Sequence, residues 1–143
     1  MSRPKRRRMI GRPPLYAGFK PVGVNGRDLK ILEMSLDEYE AMRLADFQGL
    51  SQEEAAQEME ISRPTFSRLI EDARKKCARF FIEGRKLVIS GGTVHFKENL
   101  IRCHDCGHLF VLAIGDDISE CPSCASGNLI DLAGGFGHGR CCR

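Results

Sequence analysis

The 143-residue chain has no apolar run approaching the roughly 18 residues a membrane-spanning helix requires. Its basic N-terminus is not followed by an apolar stretch, so it does not read as a secretory signal. The expected location is the cytoplasm, with no membrane partner. The sequence also lacks an HExxH motif, a nucleophile paired with a base, and a phosphate-binding loop. Its Gly-rich stretch GGFGHG is not framed by a strand and a helix in the way a nucleotide loop needs. Catalysis is therefore not expected. There is no tandem repeat and no heptad pattern.

What is present is an ordinary globular composition with an unusual distribution of charge. Hydrophobic residues make up 42% and charged residues 29%. The formal net charge of +3 is unevenly spread. Residues 1–30 carry +8, residues 31–60 carry −8, residues 61–102 carry +6, and residues 103–143 carry −3. Clustered positive charge is the footprint expected where phosphates are neutralised.

Four segments follow from composition and periodicity. Residues 1–26 are rich in Arg, Pro and Gly and read as a basic extended arm, with Leu15, Tyr16 and Phe19 as candidate anchors. Residues 27–98 read as a helical domain. Ser35 with Glu38, and Ser51 with Glu54, match the capping box, and Ser62 is a third N-cap with Pro64 in the first turn behind it. Leu36, Tyr39, Met42, Leu44 and Phe47 trace one apolar stripe; Phe66, Leu69, Ile70, Ala73, Cys77 and Phe80 trace another. Gly49 and Gly84 mark helix ends. Lys86–Ile89 and Thr93–Phe96 then read as a β-hairpin turning at Ser90, Gly91 and Gly92. Residues 99–133 form a cysteine-bounded unit, and residues 134–143 a Gly-rich flexible tail. The expected fold class is a mainly α helix-turn-helix domain with a short β-hairpin, followed by a small β zinc-ribbon-like domain.

Residues Leu50 to Leu69 place two capped helices in succession around a tight turn. Ala55 and Ala56 allow close approach of the helices, and Ile61 and Phe66 fill the space between them. In a helix-turn-helix the second helix enters the major groove N-terminus first. The exposed positions there are Arg63, Pro64, Thr65, Ser67 and Arg68. Arg63 or Arg68 has the forked donors that read guanine O6 and N7, and Thr65 and Ser67 suit phosphate oxygens. Arg74 and Lys75, with Arg79 beyond them, are candidate backbone contacts, as are Arg6, Arg7 and Arg8 of the arm.

The blocks RPKRRR, FKPVG, LDEYEAMRLADFQGLSQEEAAQEM, ISRPTFSRLIEDARKK and the run from Gly84 to Gly92 carry a resemblance. Over Arg3 to Gly92 the chain resembles a prokaryotic family of uncharacterised, predicted DNA-binding proteins. The helix-turn-helix of that family is similar to the fourth region of bacterial sigma factors. The resemblance implies the fold and a DNA-binding role, and no particular target. Some longer relatives resemble fusions to a nitrogenase-cofactor-biosynthesis-like domain; this chain carries a cysteine-rich unit in that place.

Of seven cysteines, four lie in two CxxC pairs, Cys103 with Cys106 and Cys121 with Cys124, separated by fourteen residues. Each pair can fold as a knuckle, and two knuckles close a tetrahedron of thiolates about zinc. A unit this small needs such a staple. Iron is the alternative metal, since a rubredoxin-type centre uses the same ligands. Cys77 reads as a packing thiol, His104 and His108 as exposed loop residues, and His95 as projecting from the hairpin. His138, Cys141 and Cys142 are at most weak donors to a soft metal, and the composition of the tail favours disorder without function.

The function these features point to is a transcriptional regulator that binds double-stranded DNA and carries a structural zinc. The alternative is a zinc-containing interaction adaptor of the transcription machinery, or an RNA binder. A homodimer is a further expectation, with Phe80, Phe81 and Ile82 as apolar surface.

Overall fold

A computed structural model describes residues 7–138 with Cys141 and Cys142. The described residues divide into two units. One holds those up to Met9 and Tyr16–Val94; the other holds Ile10–Leu15 and those from His95 onward. The architecture is mixed α/β, with four α-helices and several small sheets among the described residues. No helix among them is long and apolar enough to cross a membrane.

The first unit is a three-stranded sheet with helices packed against it. Strand β1 (Arg8–Ile10) begins in it, with the Arg8 N–H bonded to the Thr93 carbonyl at 2.9 Å. The sheet joins β2 (Gly18–Phe19), β3 (Ile31–Met34) and β4 (Lys86–Ile89), with β4 central, parallel to β3 and antiparallel to β2. Alternation of side chains sets its inner face. Leu32 lies opposite Leu87 and Met34 opposite Ile89, and all four are buried, whereas Ile31 is exposed.

Between β3 and β4 run α1 (Leu36–Met42), a π-helical turn (Arg43–Phe47), α2 (Gln52–Met59) and α3 (Arg63–Glu83). Each helix starts at a serine cap. Ser35 and Ser51 form reciprocal capping boxes with Glu38 and Glu54, and the Thr65 N–H donates to Ser62 Oγ at 3.4 Å. Helix α3 packs against α1, α2 and β3. Phe66, Ile70 and Ala73 supply its buried stripe, and Ala55, Ala56 and Met59 of α2 and Leu36 and Ala41 of α1 are buried likewise. Burial of Phe66 or Ile70 contributes about 1.5–3 kcal/mol each.

The fold departs from the sequence expectation in four respects. The chain is mixed α/β, because the helices are inserted between two parallel strands. No β-hairpin joins Lys86–Ile89 to the following strand, β5 (Val94–Phe96). A strand has two edges, and both edges of β4 are taken by β2 and β3. The connecting residues bond elsewhere, the Gly91 carbonyl accepting from the Leu36 N–H and the Ser90 N–H donating to the Met34 carbonyl. Phe47 is exposed, since the π-turn, closed by the Gln48 N–H to the Arg43 carbonyl at 2.9 Å, adds a residue and rotates it off the apolar stripe. Leu15, Tyr16 and Phe19 do not anchor the arm by burying their side chains, although the Phe19 backbone pairs with Leu87 and the Leu15 carbonyl accepts from Arg102 at 2.8 Å. All three are exposed, whereas Ile10, Pro13 and Pro14 are buried.

In the second unit β6 (Glu98–Cys103) is flanked by two antiparallel partners, β7 (Leu109–Ala113) and β8 (Leu129–Asp131). Asn99 is buried at the core of this sheet. It donates to Asp131 Oδ1 at 2.7 Å and accepts from the Ala133 N–H at 3.0 Å. Asp131 in turn caps α4 (Leu132–Gly135) through the Gly134 N–H. Gly134 and Gly135, the first residues of the stretch expected as a tail, thus lie in this helical turn.

Candidate nucleic-acid interface and metal centre

The turn between α2 and α3 spans residues 60–62, and Glu60 closes α2 in the left-handed region at φ 56°. Ser62 then starts α3, and its hydroxyl also meets Thr65 Oγ1 at 2.8 Å. The Thr65 hydroxyl is therefore part of the cap. Arg63, Pro64 and Arg68 are exposed, and Thr65 and Ser67 are half-buried.

The basic residues further along α3 have partners. Arg74 makes a two-pronged bond to Asp46, at 3.1 Å and 2.6 Å. These bonds hold the Asp46 carboxyl below its ordinary range and raise the Arg74 guanidinium. Lys75 lies 3.5 Å from Glu71, Lys76 bonds Glu38 at 2.6 Å, and Arg79 bonds Glu83 at 2.8 Å. Among the described residues no carboxylate holds Arg63 or Arg68. The candidate contacts Arg63, Pro64, Thr65, Ser67 and Arg68 thus share one helix end, and Arg74 and Lys75 are engaged on the helix body.

The arm gives less. Arg8 forms an ion pair with the buried carboxylate of Asp37 and is itself largely covered. Arg7 is exposed, and Arg6 lies outside the described residues. The acidic block also has an internal role that periodicity did not show. Asp37, Glu38 and Glu40 are buried on α1 and satisfied by Arg8, Lys76 and Arg43. Phe81 and Ile82 are exposed and Phe80 half-buried.

The four CxxC cysteines come together in the second unit. Cys103 Sγ lies 3.5 Å from Cys124 Sγ, and Cys106 Sγ lies 3.7 Å from Cys121 Sγ. All four sulfurs are within 4.8 Å of one another. The two turns are built alike. The Gly107 N–H bonds the Cys103 carbonyl at 2.9 Å, and the Ala125 N–H bonds the Cys121 carbonyl at 2.8 Å. Gly107 and Ala125 both have positive φ, at 77° and 64°. Backbone N–H groups point at sulfur in each, from Cys106 to Cys103 at 3.5 Å and from Ser123 to Cys121 at 3.3 Å. Asp105 ties the turns together, accepting from the Ser126 hydroxyl and from Asn128 Nδ2, and these bonds lower its carboxyl. Sequence reasoning missed Asp105, because its partners lie in the other turn.

The electrostatics of this cluster suit a cation. The Cys106 backbone N–H leads the effects that draw the Cys103 thiol down to about 7. At Cys124 the pull of the Ser126 N–H is outweighed by the crowded sulfurs of Cys103 and Cys106, and the thiol is pushed up to about 12. One thiolate forms readily and the last is opposed by its neighbours, a repulsion that a bound cation removes. Four sulfur donors with this spacing fit a soft or borderline metal. His104 and His108 are exposed and lie outside the cluster, and burial pushes the Cys77 thiol up where it meets Met42 Sδ at 3.2 Å.

Comparison with known proteins adds a family. The model described as "Protein of unknown function DUF134" matches residues 1–97. A UPF0251 protein of Chloroherpeton thalassium is 45% identical over 98% of this chain and 95% of its own length. UPF0251 proteins of Halothermothrix orenii and Syntrophobacter fumaroxidans are each 44% identical, over 77% and 90% of this chain and 82% and 85% of theirs. The cysteine cluster lies beyond the family model and within the span of the Chloroherpeton match.

Proposed function

The chain belongs to the DUF134 family, and we propose that it binds double-stranded DNA, with the α2–α3 pair acting as a helix-turn-helix and Arg63 and Arg68 reaching base edges in the major groove. One observation carries this reading. Along α3, Arg74, Lys75, Lys76 and Arg79 are paired with carboxylates, while Arg63 and Arg68 stand exposed at the helix end whose N–H groups favour phosphate. Acidic Glu53, Glu54 and Glu58 are exposed on α2, which suits a helix that faces away from the duplex. The Cys103, Cys106, Cys121 and Cys124 cluster takes zinc as a structural ion, because four thiolates leave no open position for chemistry. The role is binding, in transcriptional regulation, rather than catalysis.

Selection of bound fragments from random duplex DNA tests this. A recovered motif, bound in preference to competitor DNA and with affinity that falls steeply as salt rises, is the expected result. Negligible affinity for every duplex at low salt overturns it and favours an adaptor that docks through exposed α2.

A further inference from the structure

We propose that His95, His138, Cys141 and Cys142 form a second metal site in the same unit as the four-cysteine cluster, one that takes a single zinc ion. Their ligand atoms lie within 4.8 Å of one another. His95 Nδ1 is 3.2 Å from Cys142 Sγ, and His138 Nδ1 is 3.2 Å from Cys141 Sγ. The two sulfurs are 3.6 Å apart, and Cys142 Sγ is 3.9 Å from His138 Nδ1. The edges of a tetrahedron with zinc–sulfur bonds of about 2.3 Å and zinc–nitrogen bonds of about 2.0 Å run from roughly 3.3 Å between nitrogens, through roughly 3.5 Å between nitrogen and sulfur, to roughly 3.8 Å between sulfurs. The observed edges, 3.2–3.9 Å, lie within a few tenths of an ångström of these, so an ion is accommodated by small side-chain shifts.

The donors are held by the fold. His95 sits in β5, and the Phe96 N–H next to it points at Cys142 Sγ at 3.2 Å. This repeats the N–H to sulfur contacts of the four-cysteine turns. The His138 N–H bonds the Ala133 carbonyl at 3.0 Å, and its ring stands edge-on to the buried Phe96 ring at 5.2 Å. His95 therefore does not project from a hairpin, but faces a tail that returns to β5.

A Gly-rich tail has little apolar surface with which to offset the entropy of that return, and a metal cross-link supplies the missing stabilisation. Two thiolates and two imidazoles form a tetrahedral S2N2 set, which selects zinc over hard divalent cations that demand oxygen. On binding, each cysteine sulfur loses its proton to buffer and forms one bond to the ion. Each histidine binds through Nδ1 with its proton on Nε2. The two thiolate charges then balance the dication. None of this depends on the DNA-binding role.

Cobalt(II) replaces zinc in such sites and reports the number of thiolates through its charge-transfer absorption. The full-length chain, reduced and loaded with cobalt, is compared with Cys141→Ser/Cys142→Ser and with Cys121→Ser/Cys124→Ser. Two cobalt ions per wild-type chain are expected. The tail variant loses one of them and keeps the four-thiolate spectrum, which also shows that its fold is retained. The other variant keeps an ion of two-thiolate intensity, and His95→Gln in the wild-type background weakens that ion alone. An empty four-cysteine cluster would leave one cobalt in the wild type, lost in the tail variant, and would still support the second site. Identical stoichiometry and spectra for wild type and tail variant overturn it, as does equal alkylation of Cys141 and Cys142 with and without zinc.

Discussion

Lys76 on α3 donates a 2.6 Å hydrogen bond to Glu38 on α1, at the same carboxylate oxygen that accepts from the Ser35 N–H and hydroxyl at 2.9 Å. One oxygen thus serves as helix cap and as tie between helices. Glu38 is buried and Lys76 partly so, which makes a lone carboxylate costly there. Lys76→Met is expected to lower unfolding stability by about 1.5–3 kcal/mol, nearer the lower value because solvent reaches the lysine. Chemical denaturation measures it. A loss within a few tenths of a kcal/mol of zero would show that water replaces the lysine.

Arg68 and Arg74 share a helix and differ in partner, so their removal separates two roles. Arg68→Ala is expected to weaken binding to a selected duplex by about 1–3 kcal/mol and to relax preference at one base pair. Arg74→Ala removes a guanidinium already held by Asp46 and is expected to change affinity less. Fluorescence anisotropy with matched and mismatched duplexes reads both. Equal affinity of wild type and Arg68→Ala for the selected site removes this residue from the interface.

The features legible in the sequence are those fixed over a few residues. The boxes Ser35–Glu38 and Ser51–Glu54, the serine cap of α3 and the two CxxC turns are local chemistry, and each stands where its spacing places it. Strands at Lys86–Ile89, Leu109–Ala113 and Leu129–Asp131 follow apolar runs. What escaped is long-range. The pairing of Met34 with Ile89 spans three helices, and no turn signal marks a parallel partner. The π-turn at Arg43–Phe47 shifts the helical period midway, so Phe47 looks apolar-facing on paper. His95 and Cys142 are 47 residues apart, and neither carries a motif that names the other.

Metal removal should act locally. Cys103 and Cys121 are buried at the bases of their turns, and without an ion the four sulfurs repel once ionised. A strong chelator is expected to abolish amide protection at Cys103–Gly107 and Cys121–Ala125 first, while the amides of α3 keep theirs. Hydrogen exchange resolved by residue checks this. Unchanged protection in both turns after verified metal loss would mean that the Asp105 bonds to Ser126 and Asn128 suffice to hold them.

Glu60 tests the turn that aims α3. It ends α2 at φ 56° and ψ 44°, a left-handed conformation that costs a residue with Cβ about 1–2 kcal/mol. Its carboxylate also sits at the negative end of the α2 dipole. Asparagine tolerates this conformation and is neutral, so Glu60→Asn relieves both penalties without the unfolded-state freedom that glycine would add. The expected gain is about 0.5–1.5 kcal/mol, read from the midpoint of denaturation at constant slope. Because the Glu60 N–H already bonds the Ala56 and Gln57 carbonyls, the turn keeps its shape and DNA affinity should not change. A loss of stability on this substitution would mean that the Glu60 side chain makes a contact worth more than the strain it bears.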